Sequence, residues 1–464
     1  MFSANKMPQS WGRYPQVAAS CVIPIFWRDE LPNLAELELS VLPYGYGRSY
    51  GESCLNEGGI LLDMSHLTRF LSFDVDKGLL RCEAGVALAD ILELIVPHGW
   101  FLPVTPGTKF VSVGGAIAND VHGKNHHRAG TFGCHVTCFE LLRSDGKRLL
   151  CSPEENADLF QATIGGLGLT GVILWAEIRL RPIPSPLMER ERIRFSSLRE
   201  FIDIAAASEQ DFEYTVAWVD CLASGKQLGR GLFTRGNHAE RETSNIIKKM
   251  MPLVIPLDFP SWILNIQTIK AFNTIYYHLQ WQNSAQKTVP YDSFFYPLDA
   301  IRDWNRMYGK RGFFQYQCIV PYRDGYEVMK ELLERISRSG QGSFLSVLKT
   351  FGEVSSPGML SFPRPGLELA LDFANQGKKT LELLENLDRV VRQSGGTVYP
   401  AKDARMSPES FQTYFPRWRE FAQYIDTKFS SSFWRRVTCG SIRDNDLAIE
   451  EKPLGFSSSG VSRV

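Results

Sequence analysis

Apolar residues between residue 36 and about residue 185 come in short runs that glycine interrupts. Alternating or continuous apolar runs predict strands, and a spacing of three to four residues predicts helices. The predicted strands are GILLDMS, LLRCEAGV and GVILWAEIRLRPI, and the last ends at Pro182. The predicted helices are ALADILELIVPHGW, ending near Gly99, and NADLFQATIG, capped by Asn156 or Asp158. This part of the chain is therefore mixed α and β and contains no repeat.

The pattern changes from residue 186 to about residue 395, where the elements are longer and richer in aromatic residues. EYTVAWVD, FFQYQCIVP and LELALDFAN alternate like the strands of an antiparallel sheet. DGYEVMKELLERISRSG and GKKTLELLENLDRVVRQSG have helical spacing and end at glycine, which suits a left-handed cap. We predict an α+β protein with a first domain at 1–185, a second at 186–395 on an antiparallel sheet flanked by helices, and a C-terminal segment at 396–464.

Residues 246–281 form one apolar and aromatic stretch with more positive than negative charges. One interpretation is a set of core helices with a connecting loop. The other is a lid or a membrane-facing surface for a lipid-linked substrate. The sequence leaves both interpretations open.

Composition excludes several classes of protein. The chain has 464 residues with 44% hydrophobic and 22% charged residues, which is typical of a globular protein. Lys and Arg together equal Asp and Glu at 51 each, so nothing indicates a nucleic-acid partner. The first residues, MFSANKMPQSWGRYPQ, lack the apolar core of a secretory signal, and no apolar run reaches the length of a membrane span. We expect a cytoplasmic protein.

The nine cysteines are scattered and form no CxxC pair. Cys134 and Cys138 lie close to several histidines, which raises the question of a metal site. However, VTCFELLRSDGKRLLCS has the pattern of two strands joined by an Asp145-Gly146 turn, which makes Cys138 an ordinary strand residue. We therefore expect no metal.

Three glycine-rich segments suit a phosphate-bearing cofactor, because glycine lets backbone N–H groups approach closely. They span residues 43–52, 106–125 and 165–171. The third contains GxGxxG at Gly166, Gly168 and Gly171, but it follows a predicted helix and opens a strand. A Rossmann motif needs the opposite order, so we expect no Rossmann site.

The second segment is the most specific of the three. It combines two glycines with the polar cluster HGKNHH at 122–127, and core packing alone does not demand such a density of polar residues. A surface loop with capping side chains is the alternative, and a single histidine often only satisfies backbone groups.

These residues carry a family resemblance. SWGR, GRSYG, PGT with VGGAIA, HGKNHH, GGLGLTG, FQYQ and AKDAR span residues 10 to 405. In these motifs the chain resembles the vanillyl-alcohol oxidase (PCMH-type) flavoprotein superfamily, and most closely its decaprenylphosphoryl-β-D-ribose 2-oxidase family. The resemblance implies a PCMH-type FAD-binding domain of two α/β subdomains, completed by the C-terminal segment, and a substrate domain between them.

The resemblance also implies the residues that bind FAD. They are Pro43, Tyr44, Gly45, Tyr46, Gly47, Arg48, Ser49, Tyr50, Gly51, Glu52, Ser53, Gly107, Ser112, Val113, Gly114, Gly115, Asn119, Asp120, Val121, His122, Val172 and Tyr399. Covalent members of the superfamily carry a histidine where this chain has Glu52. A glutamate cannot form the histidyl linkage, so we expect non-covalent FAD.

The implied reaction oxidises a secondary sugar hydroxyl to a ketone, and the matching catalytic residues are Lys402, His122 and Tyr50. A desolvated lysine can act as the base, although Lys402 could instead form a surface salt bridge with Asp403 or a glutamate. The matching substrate residues are Trp218, Tyr296, Gln315, Gln317, Glu368 and Lys402. For both aromatic residues simple core packing is an equal alternative.

Two positions depart from the family pattern. Ala370 stands where the family has a cysteine near the flavin, and Glu368 replaces an asparagine of the pocket. The catalytic step does not need the thiol. Glu368 adds a negative charge that a phosphate-linked substrate tolerates only if Arg or Lys offsets it.

The resemblance therefore implies oxidation of the 2-hydroxyl of a polyprenylphosphoryl-β-D-ribose, the first half of an epimerisation in cell-wall or glycolipid precursor synthesis. The implied partners are a short-chain reductase and a quinone or other electron acceptor, with peripheral contact at the inner membrane face. A soluble alditol, sugar or aldonolactone (D-arabinono-lactone oxidase-like) substrate is the alternative. A flavin-binding protein without turnover is a third interpretation, which an intact Lys402 and His122 disfavour.

Overall fold

The computed structural model describes residues 8–240, 252–260, 262–280, 282 and 284–439. Up to residue 182 its strands are β1 (Cys21–Pro24), β2 (Val41–Tyr44), β3 (Ile60–Asp63), β4 (Phe70–Asp74), β5 (Leu79–Glu83), β6 (Trp100–Phe101), β7 (Val136–Leu142), β8 (Arg148–Cys151), β9 (Val172–Arg179) and β10 (Arg181–Pro182). The helices of this part are α1 (Leu88–Ile95), α2 (Val113–Ala118), α3 (His126–Ala129) and α4 (Ala157–Thr163).

Two sheets organise this first part. β1, β3 and β2 form a parallel sheet, and β4, β5, β9, β7 and β8 form an antiparallel sheet in that order. The predicted strands and helices are confirmed, and so is the β7–β8 hairpin, in which Gly146 adopts a φ of 82°. Asn156 precedes α4 as predicted, but its side chain caps nothing there, because its amide donates to the Leu150 carbonyl instead.

The strands after residue 186 are β11 (Leu187–Phe195), β12 (Tyr214–Val219), β13 (Gly231–His238), β14 (Leu253–Val254), β15 (Ser284–Pro290), β16 (Ile301–Arg302), β17 (Phe313–Val320), β18 (Ser346–Phe351), β19 (Gly366–Ala374) and β20 (Thr397–Val398). The helices are α5 (Leu198–Ser208), α6 (Ile266–Leu279), α7 (Tyr291–Phe295), α8 (Gly325–Ser339), α9 (Lys378–Gln393), α10 (Pro408–Tyr414), α11 (Trp418–Ala422) and α12 (Ser432–Thr438). Within the described ranges, no helix is both long and apolar enough to span a bilayer.

Eight of these strands form one antiparallel sheet in the order β15, β11, β13, β12, β18, β19, β17, β20. Successive side chains of a strand point to opposite faces. In β19, Leu369 and Leu371 therefore join the apolar core with α8 and α9, while Ala370 lies on the opposite face. We call that opposite face the cavity face.

The C-terminal segment contacts both earlier parts of the chain. β20 pairs with β17 at the edge of the large sheet, and Phe429 forms a bridge with Val41 beside β2. The buried Asp426 accepts hydrogen bonds from the backbone N–H (2.7 Å) and hydroxyl (2.6 Å) of Ser144, and it lies 3.3 Å from Arg143. These contacts are the ones expected of a C-terminal segment that returns to the N-terminal part. The domain boundaries at 185 and 395 stay a prediction.

The apolar segment 246–281 falls partly outside the described residues, which begin again at 252. β14 pairs with β16, and α6 begins at a capping box in which Asn265 accepts from Gln267 and Thr268. Only Ile269, Asn273 and Tyr277 of α6 are buried. The described part of the segment is therefore attached to the fold by one face and leaves many apolar side chains exposed.

Candidate active site

A cavity of about 750 Å³ lies between the glycine-rich loops and the cavity face of the eight-stranded sheet. A pocket of this size can hold a cofactor together with part of a substrate. The loop side consists mainly of residues 43–50, 105–108, 110–112 and 121–124. The sheet side consists of Arg190, Arg192, Val216, Trp218, Leu232, Thr234, Gln315, Gln317, Val347, Lys349 and Ala370.

The first glycine loop presents free backbone donors to the cavity. Among the described residues, the N–H groups from 45 to 49 donate to no other protein group. Gly47 has a φ of 61°, and a Cβ on Gly45 would lie 2.5 Å from the Ser112 hydroxyl oxygen. Glycine is therefore required for this turn and for the close approach of the two loops. Consecutive free N–H groups suit a diphosphate.

Most residues predicted to bind the cofactor line the cavity. They are Pro43, Tyr44, Gly45, Tyr46, Gly47, Arg48, Ser49, Tyr50, Ser53, Gly107, Ser112, Gly114, Gly115, Asn119, Val121, His122 and Tyr399. Two of these loops are tied together, because the Tyr399 hydroxyl donates to the Asn119 carbonyl at 2.7 Å.

Five other predicted cofactor residues stand behind this wall: Gly51, Glu52, Val113, Asp120 and Val172. Val113 and Val172 are buried in apolar cores. The Asp120 carboxylate accepts from the hydroxyls of Ser356 and Ser361 and from the Gly133 N–H. These residues position the loops from behind.

Glu52 is committed to a charge pair. It is buried, and its carboxylate pairs with Arg436 of α12, which also lies 3.0 Å from Asp403. Removing either partner would leave a buried charge unpaired. Glu52 therefore connects the first loop to the C-terminal segment.

Lys402 lies at the centre of the polar part of the cavity. Its Nζ is 4.0 Å from the centre of the Tyr50 ring. Burial lowers the pKa of Lys402 to about 7, and the nearby Asp372 opposes that shift. Burial also raises the pKa of Asp372 to about 7, against the hydrogen bond from Gln315 and the charge of Lys402. A lysine in this state can accept a proton near neutral pH.

The alternative interpretation of Lys402, a salt bridge with Asp403, does not describe this arrangement. Asp403 is buried, and its carboxylate takes Arg436 and the backbone N–H groups of Arg405 and Met406. The two consecutive residues point to different surroundings, and only Lys402 lines the cavity.

The two glutamines of β17 share the cavity face, as their spacing predicts. Gln315 donates to the Asp372 carboxylate at 2.7 Å. The Gln317 amide nitrogen lies 2.7 Å from the His122 Nε2 and donates to it. His122 then carries its proton on Nδ1, in agreement with a pKa that burial holds well below the usual histidine value. His122 is therefore a neutral hydrogen-bonding group.

Glu368 does not face the cavity directly. It is fully buried behind Lys349, whose Nζ lies 3.2 Å from its carboxylate. Burial raises the pKa of Glu368, and Lys349 opposes this shift. Lys349 lines the cavity, so the offset that a phosphate-linked substrate would require is present.

The two predicted aromatic substrate residues lie in different places. Trp218 lines the cavity, with its indole N–H donating to the Phe344 carbonyl at 3.0 Å and its ring against Tyr276. Tyr296 is buried in the core behind the wall, and its hydroxyl pairs with Thr105 at 2.7 Å. Thr105, which does line the cavity, stands between Tyr296 and any ligand.

The polar cluster at 122–127 divides into two groups. His122 and Lys124 line the cavity. Asn125 donates to Pro103 and Glu213, His126 stacks on Phe351 at 4.3 Å, and His127 bonds the Phe212 carbonyl. Asn125, His126 and His127 therefore support the surrounding structure. Only part of this polar cluster lines the cavity.

Several cavity residues carry no role in the sequence-based prediction. Lys124 donates to the Phe295 carbonyl at 2.9 Å, and burial lowers its pKa to about 7. Lys349 also lines the cavity, and Asp372 is buried behind it, where it accepts the hydrogen bond of Gln315. Lys124 and Asp372 lie inside the motifs HGKNHH and LELALDF, whereas no local pattern marks Lys349.

The third glycine segment follows α4 and opens β9, the order expected outside a Rossmann fold. Leu167, Gly168 and Gly171 of this segment line the cavity. In the described part of the chain, no three His, Cys, Asp or Glu side chains are grouped as a metal site requires. The donors that the cavity offers are backbone N–H groups and lysines, which fit a phosphate-bearing flavin.

Gly107 offers a direct test of the cofactor position. It lines the cavity, and a Cβ added there would meet no atom within 4 Å. We expect Gly107→Leu to fold but to bind FAD more weakly, because its side chain takes cofactor space at a cost of about 1–3 kcal/mol, or about five- to 150-fold in affinity. Gly107→Ala is the matched control and should keep its FAD. The flavin-to-protein ratio after acid release measures both, and a folded Leu variant with full flavin would contradict the assignment.

Comparison with known proteins agrees with this site. Residues 33–152 match the FAD binding domain family. Decaprenylphosphoryl-β-D-ribose oxidase of Mycolicibacterium smegmatis is 36% identical over 456 residues, covering 94% of this chain and 98% of that protein. Human Δ24-sterol reductase is 33% identical over 31% of this chain and 27% of its own length. Mouse L-gulonolactone oxidase is 34% identical over 33% of this chain and 35% of its own length.

The long match and the donor set of the cavity lead to one conclusion. The chain is an FAD-dependent oxidoreductase that belongs to the family of decaprenylphosphoryl-β-D-ribose oxidase.

Proposed function

We propose that the protein oxidises the 2-hydroxyl of a polyprenylphosphoryl-β-D-ribose to a ketone, the first half of an epimerisation to the arabinose form. The observation that supports this most directly is the Lys349–Glu368 pair at 3.2 Å beside the cavity. Lys349 offsets the charge of Glu368, and Lys124 adds a second amino group that lines the cavity from the loop side. A phosphodiester next to the reacting carbon needs such a wall.

The residues of the cavity have different roles in the proposed oxidation. Bound FAD supplies the hydride acceptor for the carbinol carbon. Lys402, as the neutral amine, takes the hydroxyl proton while the carbon becomes a carbonyl. Gln315 and Gln317 are placed to hydrogen bond the sugar, and Tyr50 lies against Lys402 and helps to exclude water from it. His122 is neutral and orients Gln317.

Several finer points belong to the same proposal. FAD is non-covalent, because Glu52 occupies the linking position and pairs with Arg436. The FAD-binding domain comprises 1–185 and 396–464, and the substrate domain comprises 186–395. The keto product passes to a short-chain reductase, a quinone or another acceptor reoxidises the flavin, and the protein works in the cytoplasm at the inner membrane face.

Anaerobic mixing with candidate substrates tests the proposed reaction. A prenylphosphoryl-ribose with a short, soluble tail should bleach the flavin absorbance, because the hydride is transferred without any electron acceptor. Prenylphosphoryl-arabinose, free alditols and aldonolactones serve as matched controls. Bleaching by a free alditol or lactone instead of the phosphoribose would favour an oxidase of soluble substrates. No bleaching by any of them would favour a flavin-binding protein without turnover.

The pH dependence of bleaching tests the role of Lys402. The neutral amine is the active form, so the rate should rise with pH through about 7, where the pKa of Lys402 lies. Lys402→Met should lower the rate by about 10²–10⁴. Asp372→Asn should move the midpoint to lower pH and Lys349→Met to higher pH, because Asp372 raises and Lys349 lowers the pKa of Lys402. Midpoints that stay fixed in both variants would contradict this assignment.

Acid precipitation tests the non-covalent attachment. The yellow colour should pass entirely into the supernatant, because no histidine stands at position 52 to hold the isoalloxazine ring. A pellet that keeps the flavin spectrum after washing would show a covalent bond at another residue.

A further inference from the structure

The described part of the apolar segment places many large apolar side chains in solvent. Leu257 is 75% exposed, Trp262 73%, Leu279 70%, Leu253 64% and Ile275 61%. A single exposed apolar residue is ordinary, but a concentration of them within one short stretch marks a surface that binds something. Val254, Ile266 and Phe272 add to the same stretch.

The exposed residues lie on β14, on α6 and on the chain between them, and both elements adjoin residues that line the cavity. β14 pairs with β16, and Ile301 and Arg302 of β16 line the cavity. Tyr276 of α6 lines it as well, next to Trp218 of the sheet. The apolar surface therefore adjoins the part of the cavity that Tyr276, Ile301 and Arg302 line.

The charge of this surface is one-sided. α6 contains Lys270 and no carboxylate. Over residues 252–260 and 262–280 the sequence has a single acidic residue, Asp258, and it forms a pair with Arg13 at 2.6 Å. Any partner of this stretch therefore meets apolar side chains and positive charge, with its one carboxylate already neutralised.

A basic groove adjoins the same surface at the end of α6. Arg190 and Arg192, which also line the cavity, line it together with Lys287 and Leu279, and none of the described residues that line it is acidic. Arg190 and Lys287 stand directly opposite each other on β11 and β15, an unfavourable pairing of like charges. The intervening Glu191 is engaged with Arg235 and Ser284 on the other face of β11.

Arg190 has a side-chain donor that lacks a partner among the described residues. Its Nε is buried and has no hydrogen-bond partner among the described residues. A buried donor on a cation is costly to leave unsatisfied. Three cations without a carboxylate, beside exposed apolar side chains, fit phosphate head groups lying above acyl chains.

We propose that the surface formed by 252–260, α6 and the Arg190–Arg192–Lys287 groove docks the protein on a bilayer that contains anionic phospholipid. The apolar side chains enter the acyl boundary, and the basic groove takes head-group phosphates. The part of the cavity lined by Tyr276, Ile301 and Arg302 then lies next to the lipid. The biological role of this docking rests on the proposed lipid-linked substrate. Vesicle binding is measured without any substrate, so a failure of the docking proposal can be told apart from a failure of the proposed function.

Co-sedimentation of the full-length, FAD-bound protein with vesicles tests the surface. Vesicles of phosphatidylcholine with about one third phosphatidylglycerol should bind the protein, and pure phosphatidylcholine vesicles should bind it at least about tenfold less. Binding should weaken as salt is raised, because the head-group attraction is screened. Absence of binding to both vesicle types, or equal binding to both at all salt concentrations, would overturn the proposal.

Paired variants locate the contact. Lys270→Glu with Lys287→Glu should weaken binding by about fivefold or more for each lost charge. The control, Arg323→Glu with Lys378→Glu, makes the same change in net charge at two highly exposed positions elsewhere. Leu257→Asp with Ile275→Asp should abolish binding, while Phe26→Asp with Leu39→Asp, exposed apolar residues outside this surface, should not.

Two further measurements distinguish a membrane contact from a misfolded variant or a contact between copies of the chain. All variants should keep their bound FAD and their rate with a short-tailed soluble substrate, because none of the substituted residues lines the cavity. Light scattering compares the oligomeric state. Equal loss of vesicle binding in the control variants would show that the surface is not a membrane contact. The same conclusion would follow if the unaltered protein binds no vesicle and Leu257→Asp with Ile275→Asp dissociates an oligomer.

Discussion

The alternation of side chains in β17 and β19 is the constraint on which the rest of the structure depends. Leu369 and Leu371 enter the core under α8 and α9, and Ala370 between them faces the cavity. The antiparallel register sets Gln315 beside Asp372 and Gln317 beside Ala370. A slip of one residue would exchange the two faces, burying the polar set under the helices and exposing leucine to the ligand.

Two lysines of the cavity each have a buried carboxylate nearby. Lys402 stands near Asp372, and Lys349 stands on Glu368. Burial lowers the pKa of Lys402 and Asp372 opposes that shift, while Lys349 opposes the rise that burial causes in the pKa of Glu368. The result is a wall that can hold an anion and still include one amine near neutrality. Replacing the family asparagine by Glu368 is therefore compatible with the wall, because Lys349 is the residue that reaches the cavity.

The sequence predicted the local elements and the loops well because their signals are local. Hydrophobic period, glycine turns and the motif at 112–122 each depend on neighbouring residues, and the structure contains them. Tyr296 and Lys349 show the limit. Whether Tyr296 reaches the ligand depends on Thr105, which stands almost two hundred residues away along the chain. No local motif marks Lys349. Its role follows from its pairing with Glu368, its cross-strand neighbour on β19.

The pair between Glu52 and Arg436 has a consequence for biogenesis. The first glycine loop begins at residue 43, yet the charge of its buried glutamate is neutralised only by a helix near the end of the described chain. During synthesis the N-terminal sheets emerge long before that helix does. The buried charge of Glu52 therefore gains its partner only after α12 has been synthesised and has folded against the first loop.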